Sequence, residues 1–328
     1  MTRVAVVFTG GTISMVADDV AGGNVPTLDG AAILARTPGL DAIAEVVPVD
    51  LGLTPASHFS FTDLLSIAGS ISDAAADPSI DGVVVVQGTD TIEETAFCWD
   101  LVLDTPKPVI VTGAMRSASE AGYDGPANLR DAVRCAASDD LRGEGVLVVL
   151  AASIEAADDV TKTHTSSLEA FRSLNFGSLG RIEGDRVVVS RRRAGRRHVA
   201  TERASERVGL VTAVVGMGPS IVEVMVGLGL EGLVVEATGS GNTSAGLLDA
   251  AARTMAAGIP VVLTTRCPAG RAGTAYAFPG GGATWVRAGA LLAGYLGGPK
   301  ARVAVALALG AGLDRVSMER LFADPIAT

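Results

Sequence analysis

Three short stretches carry side chains able to activate a hydroxyl. In the first, "FTGGTIS" at residues 8–14, the apolar run Val4–Phe8 stops at Thr9-Gly10-Gly11-Thr12. Glycines let a backbone turn tightly and approach a ligand closely, so this loop reads as one that presents Thr12 to a small molecule; a plain turn with capping threonines is the alternative. In the second, "VVVVQGTDTIEETA" at residues 83–96, an apolar run ends at Gln87-Gly88 and is followed by Thr89, Asp90 and Thr91. Asp90 reads either as a functional carboxylate or as a helix cap. Glu93 and Glu94 suit a helix N-terminus through the helix dipole, and no chemistry is assigned to them. The third, "DVTKTHTSSLEAFRS" at residues 159–173, contains Lys162 and His164. Only Lys107, Lys162 and Lys300 among the 26 basic residues are lysines. Lysine shifts its pKa readily and arginine hardly does. A lysine beside a threonine and a carboxylate can relay a proton or keep a hydroxyl activated. His164 reads as a satisfied structural side chain.

These stretches need strand ends to position them. Apolar runs predict strands over Val4–Phe8, Val83–Val86, Val109–Thr112, Val146–Leu150, Val208–Val215, Leu233–Val235 and Val261–Thr264. Alanine-rich stretches predict helices over Phe61–Ala74, Glu93–Leu103, Pro126–Ala137, Ser244–Ala257 and Ser317–Phe322. Alternating strands and helices predict an α/β fold with a mostly parallel sheet flanked by helices. Ligands then bind at the carboxyl ends of the strands. The arginine-rich stretch 186–207 interrupts the alternation, as a hairpin or an exposed connection. It predicts a larger N-terminal domain over 1–190, a linker over 191–207 and a smaller C-terminal α/β domain over 208–328. The arginines read as a solvated linker face.

Composition narrows the function. With 328 residues, 48% of them hydrophobic, the chain can bury a substantial core; with 4% aromatic that core is aliphatic. A net charge of -10 argues against nucleic acid and anionic membranes as partners. Cys98, Cys135 and Cys267 show neither metal spacing nor a disulfide framework. No signal peptide precedes the first strand, and runs such as Val303–Leu309 are too short to cross a bilayer. A cytoplasmic protein is expected.

Together the stretches resemble the bacterial-type L-asparaginase family, the threonine amidohydrolases. "TGGTI" and "GTDT" are similar to its two signatures, and "VTKTHTSSLEAFRS" to its lysine-bearing segment. "TGAMRSASEAGYDGPANLRDAV", "EATGSGNTS", "TTRCPAGRAG" and "GPKARVAVALAL" follow in family order. The resemblance covers nearly the whole chain and implies the two-domain asparaginase-type fold. It implies hydrolysis of the side-chain amide of L-asparagine, or of a closely related small substrate, through an acyl-enzyme. Thr12 would be the nucleophile, and Thr89, Asp90 and Lys162 the second catalytic group. Asp90 would also meet the α-amino group of the substrate. Gly11, Gly88 and Ala114 would lie along the substrate, and Ser57 would hold its α-carboxylate with His58 beside it. Asn242 would reach into a neighbouring subunit's site, in a homo-oligomer, dimer or tetramer, whose sites lie at the intimate dimer interface. Hydroxyls, a carboxylate and a lysine suffice for this chemistry, so no cofactor or metal is expected.

Two departures stand out. The family has a tyrosine on a mobile loop near the nucleophile; here Asn24 occupies that position, and no tyrosine precedes Tyr123. Some members support that tyrosine with a glutamate from the second domain, whereas no acidic residue lies between Arg266 and Pro299. An amide cannot serve as the base that a phenolate can. Activation then falls to Thr89 and Lys162, or a loop residue such as Asp18 or Asp19 contributes, or the substrate differs. Second, His58 stands where glutamine or an acid is more familiar. Both changes fall in the pocket, so an amidase, esterase or lactonase for another small acyl substrate is the alternative.

Three other classes are weaker. Gly227-Leu-Gly229-Leu-Glu-Gly232 fits a dinucleotide fingerprint but runs into a strand, whereas that motif should follow one. A glutaminase-like subunit of a tRNA amidotransferase usually carries an extra N-terminal domain, and this chain begins at its first strand. A catalytically dead binding module would not need Thr12, Thr89, Asp90 and Lys162 together.

Overall fold

The computed structural model describes residues 2–323. They form two compact units that divide between Arg196 and Arg197.

The first unit contains twelve strands: β1 (Arg3–Phe8), β2 (Met15–Asp18), β3 (Gly23–Pro26), β4 (Glu45–Asp50), β5 (Gly82–Val86), β6 (Val109–Thr112), β7 (Val146–Leu150), β8 (Ser153–Ala156), β9 (Val160–Lys162), β10 (Phe171–Ser173), β11 (Gly180–Glu183) and β12 (Arg186–Val189). Its helices are α1 (Gly30–Ala35), α2 (Phe61–Ala76), α3 (Ile92–Val102) and α4 (Gly125–Ala136). Eight strands make one sheet in the order β12-β11-β8-β7-β6-β5-β1-β4. The block from β4 to β7 is parallel, and β8, β11 and β12 extend it antiparallel. Every residue of β5 and β7 is buried, because both faces are covered. Val4, Val6, Val84 and Val86 pack with Leu129 and Val133 of α4. The alternate residues Ala5, Val7, Val83 and Val85 are equally buried on the other face, where α2 packs on β1 and β5.

Register decides where the loops emerge. Phe8 lies opposite both Asp50 and Val86, and Val86 opposite Thr112. The carboxyl ends of β4, β1, β5 and β6 are therefore level. From β1 the chain crosses to β4 on one side, and β5 then begins on the other side. The crevice beyond β1 and β5 is thus a topological switch point, where open α/β sheets bind ligands.

Strand β4 has no counterpart among the sequence expectations. It is an edge strand with Pro48, two charged ends and no fully buried residue. Edge positions tolerate proline and do not need a continuous apolar run.

The second unit contains β13 (Val208–Thr212), α5 (Ser220–Gly227), β14 (Gly232–Ala237), α6 (Ala245–Ala256), β15 (Val261–Thr265), α7 (Gly282–Ala288), β16 (Leu291–Leu292), α8 (Gly298–Gly310) and α9 (Arg315–Phe322). Its four strands are all parallel, in the order β13-β14-β15-β16. Leu233, Val235, Leu263 and Trp285 share its core. Strand β13 stops at Thr212 rather than at the expected Val215; Val214 and Met217 close a turn there, and Val215 is 99% exposed. Gly227–Gly232 leads from α5 into β14, the reverse of a dinucleotide-binding order. Among the described residues no helix is long and apolar enough to cross a membrane.

The arginine run is only in part a solvated face: Arg192, Arg203 and Arg207 are exposed. Arg186–Val189 is one arm of a hairpin with β11, and beyond it Arg193 and Arg196 turn inward. Arg193 is 5% exposed and pairs with Asp100, 1% exposed, at 2.8 Å and with Asp158 at 3.0 Å. Arg196 meets the same Asp100 at 3.2 Å, which also accepts the backbone N–H of Val146 at 2.9 Å. Burial alone would raise the Asp100 carboxyl, but Arg193 and Arg196 outweigh it and hold the group below the usual carboxylate range. Charge counting along the chain could not reveal this, because Asp100 lies more than 90 residues upstream of both arginines. Removing one member of a buried pair leaves an uncompensated charge. Asp100→Ala should lower unfolding free energy by about 3–5 kcal/mol, measured from the denaturant midpoint. A change below about 0.5 kcal/mol, the scale of an ordinary surface substitution, would show the network to be inconsequential.

Candidate active site

The glycines after β1 do what their position suggested. Gly10 and Gly11 adopt φ of 104° and 97°, a region that costs other L-residues energy. They also permit contact. A Cβ on Gly11 would stand 2.1 Å from the backbone nitrogen of Gly88, and one on Gly10 would stand 2.9 Å from the backbone of Leu53. The turn bearing Thr12 is therefore pressed against the loop bearing Thr89. Gly88 in turn has room for no more than Ala56, whose Cβ is 3.0 Å from where its own would be. Backbone hydrogen bonds carry the sheet into these loops: Thr9 donates to Val86 O at 3.0 Å, Gln87 to Thr112 O at 3.0 Å, and Thr54 to Thr9 O at 2.9 Å.

Three short 3₁₀ turns follow these links, at Thr12–Ser14, Ala56–His58 and Thr89–Thr91. The Ser14 hydroxyl donates back to Gly11 O at 2.6 Å. The Thr91 hydroxyl donates to Ala56 O at 3.1 Å. Ser57 and His58 thus share the cluster, both exposed. Ala114 follows β6 and is fully buried, with its methyl in the core.

Lys162, at the end of β9, donates from Nζ to Thr89 Oγ1 at 2.9 Å and pairs with Asp90 Oδ1 at 3.3 Å. Thr89 is buried, Thr12 half-buried. The side chain of Lys162 is 18% exposed and that of Asp90 70%. The cation therefore sits at the boundary between core and crevice, with Asp90 on the solvent side. A hydroxyl that accepts from lysine keeps its own hydrogen available for transfer.

Glu93, given no chemistry above, proves to hold this lysine in place. Its carboxylate accepts from the Thr161 hydroxyl and, at 3.1 Å, from the backbone N–H of Lys162. One carboxylate in the first turn of α3 thereby ties β9 to the turn carrying Thr89 and Asp90. The sequence signal was present but masked, since a glutamate there is ordinary for a helix start. Gln87 was missed for a similar reason. Fully buried, it accepts from the Thr95 hydroxyl at 3.0 Å and donates to Gly88 O at 3.2 Å, stiffening the loop.

Other candidates lie apart from this contact set. Asn24 is exposed on β3, opposite Ala17 of β2. Asp18 accepts from the backbone N–H groups of Val20 and Ala21 at 2.8 and 2.7 Å, closing its own hairpin turn. His164 accepts at Nδ1 from Ser166 and Ser167 at 3.0 Å each, the structural role expected of it. Asn242 belongs to the second unit, in a bridge with Thr238, and its Oδ1 is buried without a hydrogen-bond partner. Among the described residues no cluster of His, Cys, Asp or Glu has the makings of a metal site.

A displacement of about 1 Å at a reacting group costs roughly 10²-fold in rate. Glu93→Ala frees Lys162 from α3, so the amide hydrolysis that the motifs imply should fall roughly 10- to 100-fold in kcat, with the circular dichroism spectrum unchanged. Turnover equal to the parent enzyme would remove Glu93 from the site.

Comparison with known proteins agrees with this architecture. The family model of the N-terminal asparaginase domain matches residues 3–195, and that of the glutaminase/asparaginase C-terminal domain matches residues 207–322. The chain is 36% identical to a probable L-asparaginase of Deinococcus radiodurans, over 99% of this chain and 98% of that one. It is 31% identical to an L-asparaginase of Bacillus licheniformis, over 94% and 95%. It is also 30% identical to a glutamyl-tRNA(Gln) amidotransferase component of Methanobrevibacter smithii, over 82% of this chain and 64% of that one. With both domain models matched in order, and relatives aligned along nearly their full length, this chain belongs to the asparaginase family of hydrolases.

Proposed function

We propose that this chain hydrolyses the side-chain amide of L-asparagine or a closely related small substrate through Thr12. The observation that carries the reading is the Lys162–Thr89 hydrogen bond of 2.9 Å, in a loop pressed by glycine contact on the turn of Thr12. In the first half-reaction the Thr12 hydroxyl oxygen attacks the amide carbon and gives up its proton. Backbone N–H groups of the glycine loops stabilise the oxyanion. The C–N bond breaks, ammonia leaves with a proton, and an ester to Thr12 remains. In the second half-reaction Thr89 and Lys162 relay a proton from water, which attacks the ester and restores the Thr12 hydroxyl. Asp90 meets the substrate's α-ammonium and Ser57 its α-carboxylate, with His58 beside it and Gly11, Gly88 and Ala114 along its length. No step needs a metal or cofactor. The working division of the chain is 1–190, 191–207 and 208–328, in a cytoplasmic protein.

Asn242 has a catalytic part only if a second copy of the chain supplies or receives it, so the active form is a homo-oligomer, a dimer or tetramer. Support comes from an apolar surface in the second unit. Val215 is 99% exposed, and Ile221 and Val224 on α5 and Leu228 at its C-terminal cap are 43%, 59% and 79% exposed. Exposed apolar side chains grouped in this way mark association sites when they form a patch.

Thr12→Ala and Thr89→Ala should each reduce kcat/KM by at least about 10³-fold, roughly 4 kcal/mol of transition-state stabilisation, with the fold retained. Near-normal turnover in Thr12→Ala would sink the nucleophile assignment. A panel of L- and D-asparagine, glutamine, dicarboxylic monoamides, small esters and lactones fixes the acyl group; L-asparagine is expected to lead. An ester preferred over every amide would favour the reading drawn from Asn24. Light scattering should give a dimer or tetramer; a fully active monomer would refute the shared site.

A further inference from the structure

The segment 117–124, between β6 and α4, carries no assigned role, yet it grips the polypeptide that bears Thr12. Three bonds reach alternate residues of that polypeptide. The Tyr123 hydroxyl donates to Ile13 O at 2.7 Å, Ala118 N donates to Met15 O at 3.0 Å, and the Ser119 hydroxyl accepts from Ala17 N at 2.9 Å. The grip is itself rigid. Asp124 accepts from the backbone N–H groups of Met115 and Arg116 at 3.0 and 2.9 Å and from Asn128 Nδ2 at 3.0 Å. Glu120 accepts from Ser117 N at 2.6 Å. The Tyr123 ring lies over Gly125 so closely that a Cβ there would stand 2.5 Å from it.

We propose that Tyr123 is a positioning residue for the Thr12 nucleophile, acting through the carbonyl of Ile13; this rests on the reading of Thr12 given above. The turn at residues 11–14 is held at two carbonyls. Ser14 satisfies Gly11 O from within the turn, and Tyr123 satisfies Ile13 O from outside it. Ile13 is fully buried, so without the phenol its carbonyl has strong reason to seek another donor, and the turn would rotate with it. Burial pushes the Tyr123 hydroxyl up to about 12, so it is a donor at neutral pH. This chain, with Asn24 on the loop, therefore bonds a phenol to the backbone of the nucleophile turn, as a fixed support and not a proton carrier.

Tyr123→Phe removes one oxygen and keeps the ring over Gly125. It should lower kcat about tenfold per folded molecule and leave KM for L-asparagine within about twofold. The pH dependence of kcat should keep its shape, because no titrating group is lost. A purely structural tyrosine would lower the melting temperature and leave kcat per folded molecule at the parent value, and that result overturns the proposal. So does a lost alkaline limb in the pH profile, which would make Tyr123 a proton carrier. Thr12→Ala is assayed alongside: if it is inactive while Tyr123→Phe is normal, the positioning role alone fails, and if it is active the nucleophile reading fails first.

Discussion

The contact of Gly11 with Gly88 is the constraint on which the site depends. Two parallel strands lie side by side in the sheet, and the loops leaving them would ordinarily diverge. Here the backbones meet with no side chain between them, because the first loop has glycine at positive φ and the second has glycine opposite it. Residues 12 and 89 each follow immediately. The separation of the two threonines is thus fixed by backbone packing, which side-chain motion cannot relax. An alanine at Gly11 would push the loops apart, and one at Gly88 would crowd the Ala56 methyl and Gly11.

Lys162 comes from a different kind of structure. It stands on a three-residue strand of a two-stranded ribbon outside the main sheet, and so short an element has little stiffness of its own. Glu93 supplies what the ribbon lacks, by anchoring the lysine's own backbone to the helix that begins just after Thr89 and Asp90. The distance from Nζ to Thr89 Oγ1 is then set within one compact group of residues. The ammonium itself pairs with Asp90 on its solvent side.

The sequence was informative wherever one element decides the outcome. The apolar runs at Val83–Val86 and Val146–Leu150 became strands with no exposed residue, because burial on both faces leaves no alternative to a continuous apolar run. Thr89, Asp90 and Lys162 were legible through motif order, and their contact is seen only in the fold. What stayed hidden depends on pairing between distant residues. Arg193 looked solvated because Asp100 is far upstream, and Glu93 looked like a helix-start residue because Thr161 and Lys162 are far downstream. Strand β4 was hidden because an edge strand needs neither continuous nor alternating apolar residues.

The place of Asn24 follows from the hairpin that carries it. Ser14 O accepts from both Thr27 N and Leu28 N, and from there β2 and β3 run outward together. Asn24 pairs with Ala17, three residues beyond Ser14, which at about 3.3 Å per residue is roughly 10 Å along the hairpin. The hairpin is tied down at Met15 and Ala17 and closed at its tip by Asp18. An asparagine that far along an anchored hairpin is poorly placed to handle a proton at Thr12. Asp18 is already committed to the hairpin turn. Of the groups named for activation, the pair with both a hydrogen bond and a strand-end position is Thr89 with Lys162. In the mechanism proposed above, proton handling therefore falls to Thr89 and Lys162 rather than to the hairpin that carries Asn24.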